Sequence, residues 1–145
     1  MYKDATIPEI DTALQQAWKA FHIYRQCTLK QRAGFMRAIA KEIERLGDEL
    51  LNVTGEETNL PEARLRNERA RTIYQLTSYA DACEKGDWLE VRIDTALPEK
   101  APPKPDIRKM LVPLGPVIVF GAANFPFAYS TAGGDTATAF AAGCP

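Results

Sequence analysis

Histidine and cysteine are scarce in this sequence, which holds one histidine, His22, and three cysteines, Cys27, Cys83 and Cys144, among 145 residues. A single imidazole and no paired cysteine spacing leave a zinc site almost without support. His22 itself falls within a helical pattern and reads as a surface or packing residue. An odd cysteine count at wide spacing argues against a disulfide framework and suits a reducing compartment. An excess of one charge is missing too. The formal net charge is −1, so nothing electrostatic favours nucleic acid or an anionic membrane surface. No apolar run approaches the roughly 18 residues of a membrane span. The opening MYKDATIPEI has neither the apolar core of a signal peptide nor an Arg-rich transit pattern. Together these absences predict a soluble, cytoplasmic protein. The remaining composition, 46% apolar and 26% charged, is that of an ordinary globular chain whose length suits one domain.

The charges that are present sit unevenly. From Leu111 to Pro145 the only formally charged side chain is Asp135. A surface segment would be more polar, so this stretch is expected to be buried on several sides. The sequence stops at Gly143-Cys144-Pro145 without a polar tail, which predicts a fold that continues past Pro145.

Periodicity divides the chain into helices followed by strands. Thr6 with Glu9 forms a capping-box pattern ahead of a stripe of Ile10, Leu14, Ala17, Trp18 and Phe21. After a break around Gln26 and Cys27, Thr28 with Gln31 repeats the pattern. Met36, Ile39, Ile43, Leu46 and Leu50 then recur at 3-4-3-4 spacing, which suits one helix packed against another. Thr54 to Thr58 reads as a loop. A third helix is predicted from about Pro61 and Glu62 to Lys85, stopping at Gly86. Its first half carries Arg64, Arg66, Arg69 and Arg71 interleaved with Glu62 and Glu68. These are either a solvated face of intrahelical ion pairs or an anion site for a carboxylate or phosphate.

Beyond Gly86 the period shortens. Trp88 to Asp94 alternates as a half-exposed strand, and Ile107 to Leu114 reads as a second one, joined by the proline-rich connection Pro98–Pro105. Val117 to Phe120 is predicted to be a short, fully buried strand. Pro126 to Gly143 is predicted to be a helix rich in Ala and Thr, with small residues for close packing on a sheet. The fold class is therefore α/β, with helices first, then a strand pair, then one strand–turn–helix.

The turn Phe120-Gly121-Ala122-Ala123-Asn124-Phe125-Pro126 stands where ligands bind in open α/β sheets, at the carboxyl end of a strand. Small residues there let a ligand approach the backbone. The spacing is not that of the usual dinucleotide fingerprint. Asn124 is either a helix N-cap or a side-chain donor pointing into a cleft, and the residues by themselves do not choose.

The run from Leu114-Gly115-Pro116-Val117 to Asn124-Phe125-Pro126 resembles the Asn-Phe-Pro region of the aldehyde dehydrogenase superfamily. Ser130–Ala137, Ala141–Pro145, Glu57-Thr58, Leu60-Pro61, Arg64-Leu65, Glu68-Arg69 and Arg71-Thr72 extend the likeness to the branch that oxidises α-ketoglutarate semialdehyde (2,5-dioxovalerate). One departure is Ala122-Ala123 in place of a Pro-Trp pair. The resemblance implies NAD or NADP as cofactor and a small aldehyde as substrate. It implies a cysteine thiolate that attacks the aldehyde and a glutamate that activates water, both outside this chain. Asn124 would then donate a hydrogen bond to the oxyanion, and Phe120, Gly121, Ala122, Ala123 and Asn124 would line the cofactor cleft. Cys27, Cys83 and Cys144 would be packing residues. The implied organisation is a helical part of the cofactor domain over 1–86, an oligomerisation arm over 87–114, and the start of the α/β dinucleotide-binding unit over 115–145. The whole protein would be a homo-oligomer, dimer or tetramer, and these 145 residues alone would be inactive. A CoA-acylating relative is the nearest alternative. A non-catalytic helical module that binds an anionic partner through Arg64–Arg71 is the alternative of another class.

Overall fold

Two capping boxes open the first two helices of the computed structural model, which describes residues 3–145. Helix α1 (Ile7–Tyr24) starts at Thr6, whose backbone N–H and hydroxyl both donate to the Glu9 carboxylate at 2.7 Å. Those bonds favour the charged form and hold Glu9 below its ordinary range. Helix α2 (Leu29–Arg45) starts at Thr28. There Oγ1 accepts from the Gln31 N–H at 3.2 Å while the Thr28 N–H donates to Gln31 Oε1 at 2.8 Å. Both starts are those the sequence predicts.

The next expectation fails in part. Met36 to Leu50 does not lie on one helix, because the chain turns at Gly47, whose φ of +57° is open to glycine but unfavourable for other residues. Helix α3 (Gly47–Thr58) follows and takes in the segment Thr54–Thr58 expected as a loop. Two hydroxyls support it from within, Thr54 donating to the Leu50 carbonyl at 2.7 Å and Thr58 to the Thr54 carbonyl at 2.6 Å. Asn59, at φ +57°, ends α3, and α4 (Glu62–Lys85) runs from Pro61 to Gly86 as predicted.

Helix α4 is the axis of the fold. Its buried residues, Leu65, Glu68, Thr72, Leu76, Ala80 and Cys83, form one stripe at spacings of three and four. Against the lower part of that stripe pack Ala33, Met36 and Ala40 of α2 and Ala137 and Ala141 of α5 (Gly134–Ala142). The small residues of α5 do allow close packing, but on helices α2 and α4 rather than on a sheet. Helix α5 also starts at Gly134, not near Pro126, leaving an irregular segment between. Helix α1 departs furthest from its expected role. Only Phe21 of its stripe is buried, while Ile10, Leu14 and Trp18 are 42–52% exposed.

Strands are shorter than their periodicity suggests. Residues Asp87–Leu89 form a 3-10 turn and Glu90 is left-handed at φ +50°, so β1 covers only Arg92–Asp94 and β2 only Ile107–Lys109. They pair antiparallel, Arg92 opposite Lys109 and Asp94 opposite Ile107. The proline-rich connection closes the hairpin through a bridge between Leu97 and Lys104. Val117–Phe120 is not a buried strand: Val117 is 47%, Ile118 65% and Phe120 85% exposed. The reason is pairing. A central strand needs a neighbour, and among the described residues none lies alongside, the Val117 N–H finding only the Pro145 carbonyl at 3.0 Å. The expected burial of the low-charge stretch therefore holds for Ala128 and for Gly133 to Cys144 in part, and fails for Leu111 to Phe120.

One buried cation of α2 joins the C-terminal ends of α1 and α5. Arg32 is 5% exposed, and its Nη2 donates to the Arg25 carbonyl at the C-terminus of α1 at 3.0 Å. Its guanidinium lies over the Tyr24 ring, 5.8 Å from the centroid. It also packs on Gly143, the C-terminal cap of α5. Both helix ends present carbonyls with partial negative charge, which favours a cation there. A Cβ on Gly143 would fall 2.4 Å from Arg32 Nη1, at a φ of +90°. Replacing Gly143 by Ala is expected to cost about 1–3 kcal/mol, chiefly from the left-handed backbone, with the Arg32 guanidinium obliged to shift aside. Gly34, in the interior of α2 with nothing within 4 Å of a built Cβ, gives the opposite expectation, a gain of about 0.5–1 kcal/mol for Gly34→Ala. Thermal denaturation of both variants beside the parent reads the two signs.

Candidate active site

The segment between Phe120 and α5 is a loop folded on itself. The Phe125 N–H donates to the Ala122 carbonyl at 3.1 Å, the Tyr129 N–H to Phe125 at 3.2 Å, and the Ala122 N–H to Tyr129 at 2.7 Å. Asn124 stands in the turn that results, exposed to solvent. It is not a helix N-cap, since no helix begins until Gly134. Among the described residues its side-chain amide takes part in no hydrogen bond, which leaves both N–H donors free for a ligand. Phe120, Gly121 and Ala123 are exposed beside it and Ala122 is half-buried. The five residues that the sequence singles out, Phe120 to Asn124, are consecutive and lie along this exposed turn.

What holds the loop is α4. Arg64, Glu68 and Arg71 follow one another at four and three residues, so they share a face. The Arg64 guanidinium donates to the backbone carbonyl of Asn124 and lies over the Phe125 ring, 5.1 Å from its centroid. Arg71 donates to the Tyr129 hydroxyl at 2.9 Å and lies over that ring at 5.3 Å. The two rings meet edge to face, 5.4 Å apart. Between the two arginines, Glu68 is 6% exposed. Its Oε1 accepts the N–H of Phe127 at 2.8 Å and of Ala128 at 3.0 Å. Hydrogen bonds to an ionised group contribute about 1.5–3 kcal/mol each. Its other oxygen, Oε2, is buried without a partner among the described residues.

From the far side the loop is fixed by Gly133. A Cβ there would lie 2.3 Å from the Ala128 carbonyl oxygen, and Ala128 is fully buried. Glycine is required at this position by close approach of backbone to backbone, not by its dihedral angles.

The arginine cluster is in part the solvated face of intrahelical ion pairs that its sequence suggests. Arg66 does pair along the helix, with Glu62 at 2.6 Å, and also with Asp48 at 3.0 Å. Arg69 instead donates to the Gly47 carbonyl at the turn into α3, while Arg64 and Arg71 serve the loop. Glu68, which the sequence shows only as a charge interleaved with the arginines and as part of the matched Glu68-Arg69 pair, is the side chain that bonds the loop backbone. A signal for it existed: it occupies the buried stripe of α4 between Leu65 and Thr72, and a carboxylate at such a position requires buried donors.

None of the cysteines stands near Asn124 in a reactive setting. Cys83 is fully buried, its thiol facing the Ala141 carbonyl at 3.4 Å and the Leu29 carbonyl at 3.7 Å. Burial pushes that thiol above its ordinary range. Cys144 is buried and Cys27 half-buried. Because the thiolate is the reactive form, alkylation at neutral pH should reach Cys27 first and spare Cys83 and Cys144 until the protein unfolds. Site-resolved mass spectrometry checks this, and equal labelling of Cys83 and Cys27 would contradict it.

Comparison with known proteins gives the family and the fold. The pattern of the aldehyde dehydrogenase family matches residues 1–145. The chain is 49% identical over 145 residues to an alpha-ketoglutaric semialdehyde dehydrogenase of Acinetobacter baylyi, covering 99% of this chain and 28% of that protein. It is 50% identical over 138 residues to alpha-ketoglutaric semialdehyde dehydrogenase 2 of Azospirillum brasilense, covering 94% and 26%. It therefore spans little more than a quarter of the length of these curated relatives. Its fold matches the crystal structure of aldehyde dehydrogenase 21 from Physcomitrella patens in complex with the reaction product succinate. That match has a TM-score of 0.77 at 24% identity and covers 97% of this chain and 28% of that one. With its whole length matched by the family pattern, the chain belongs to the aldehyde dehydrogenase family.

Proposed function

We propose that the polypeptide carrying this chain oxidises α-ketoglutarate semialdehyde to the carboxylic acid, with NAD+ or NADP+ as oxidant. The observation that carries this reading is the identity of 49% and 50%, over nearly the whole chain, to two relatives that bear that substrate in their names. The attacking cysteine and the water-activating glutamate belong to parts of the polypeptide outside these 145 residues.

The residues around the turn fit a nicotinamide cofactor. Gly121, Ala122 and Ala123 carry nothing larger than a methyl group, so a flat ring can approach their backbone, and the exposed Phe120 offers an apolar wall. Bound there, the cofactor supplies the hydride acceptor. Asn124 supplies the electrophilic assistance. Negative charge appears on the aldehyde oxygen only as the thiolate adds to the carbonyl carbon, so a fixed amide donor stabilises the transition state more than the substrate. Exposed along both strands, the β1–β2 hairpin acts as the arm that joins copies into a homo-oligomer. The three free cysteines of the chain, Cys27, Cys83 and Cys144, suit work in the cytoplasm.

In the whole enzyme, Asn124→Ala is expected to lower kcat by about 10²–10³, with the KM for the nicotinamide cofactor nearly unchanged. Steady-state assay of NAD(P)H formation from α-ketoglutarate semialdehyde reads both. Turnover equal to the parent would remove Asn124 from the oxyanion role.

A further inference from the structure

Asn124 is exposed, and no side-chain hydrogen bond of its own directs it among the described residues. Its direction therefore depends on where its backbone is held. That backbone is held from one helix face. Arg64 takes the carbonyl of Asn124 itself, and Glu68, one turn further along α4, takes the N–H groups of Phe127 and Ala128 through a single oxygen. The two side chains thus grip the loop at the residue and just after it. Glu68 does this from a position where water does not compete, since the residue is 6% exposed. Its second oxygen gains no bond from the fold among the described residues. On a stripe otherwise filled by Leu65, Thr72 and Leu76, the cost of burying this carboxylate is offset by the two N–H groups that its first oxygen accepts.

We propose that Glu68, assisted by Arg64, is a positioning residue for the proposed reaction, fixing the Asn124 loop so that its amide meets the developing oxyanion. This rests on the oxyanion role of Asn124. It requires no contact between Glu68 and substrate, only that the loop be pre-organised, and a small misplacement of such a donor is costly in rate.

A double-mutant cycle on kcat tests it in the whole enzyme, using Glu68→Gln, Glu68→Ala, Asn124→Ala and the two double variants. Glu68→Gln keeps the shape and one acceptor oxygen but weakens the bonds by removing the charge, and it guards against misfolding of Glu68→Ala. In the Asn124 background, Glu68→Gln is expected to lower kcat about tenfold and Glu68→Ala up to about 10²-fold, with the cofactor KM unchanged. Without the Asn124 amide the same substitutions should change kcat less than about twofold, because coupled residues do not act additively. Equal losses in both backgrounds would mean that Glu68 only holds the fold together, and would overturn the proposal. So would parental kcat in Glu68→Gln and Glu68→Ala alongside a large loss in Asn124→Ala, a result that leaves the oxyanion reading intact. Parental turnover in Asn124→Ala would instead sink the oxyanion reading, and the positioning role with it.

Discussion

A backbone N–H removed from water needs an acceptor, and an irregular loop cannot supply enough of them from its own carbonyls. The segment 121–133 satisfies Ala122, Phe125, Tyr129 and Gly133 internally, but Phe127 and Ala128 point at α4. Glu68 Oε1 meets both. Everything that makes this possible lies deeper in the bundle. Helix α4, which carries the carboxylate, packs Leu76, Ala80 and Cys83 against Ala33, Met36 and Ala40 of α2 and Ala137 and Ala141 of α5. The alanines and the thiol keep the helices close. Arg32, at the C-terminal ends of α1 and α5, and Gly143, which leaves it room, anchor the same three-helix contact from the other end. A line of cause therefore runs from small residues in a core, through the placement of one helix, to the orientation of an exposed turn.

That line also separates the work of the molecule. The segment that carries the site, Leu111 to Pro145, has no charged side chain apart from Asp135, while the charges that shape it come from a helix about sixty residues earlier. Arg64 and Arg71 cover the aromatic rings of Phe125 and Tyr129, joining polar and apolar restraint in the same contacts. The chain belongs to the aldehyde dehydrogenase family, and in the proposed reaction such an arrangement suits an amide donor that must not move when charge develops. Loops carry chemistry well when rigid elements hold them.

The sequence makes legible those features whose signals are local. Thr6 with Glu9 and Thr28 with Gln31 mark helix starts because a capping box closes within four residues. Gly86 marks a helix end by its left-handed φ. The Asn-Phe-Pro turn is recognisable because its residue types are unusual in series. Features that depend on distant partners stay hidden. Val117 to Phe120 looks buried by composition, yet pairing decides whether a strand forms, and no strand lies beside it among the described residues. The stripe from Met36 to Leu50 looks continuous because periodicity registers no turn at Gly47, where the left-handed φ splits it. Pro126 to Tyr129 looks like the first turn of a helix. Glu68 claims two of its N–H groups instead, and its partners lie 59 and 60 residues away.

Amide hydrogen exchange at Phe127 and Ala128, followed in the whole enzyme and in its Glu68→Ala variant, tests most directly whether a buried carboxylate orders this loop. If Glu68 holds it, both amides exchange slowly in the parent and much faster in the variant, while the amides of α2 at Met36 and Ala40 keep their protection. Fast exchange at Phe127 and Ala128 in the parent, or protection unchanged by the substitution, would contradict it.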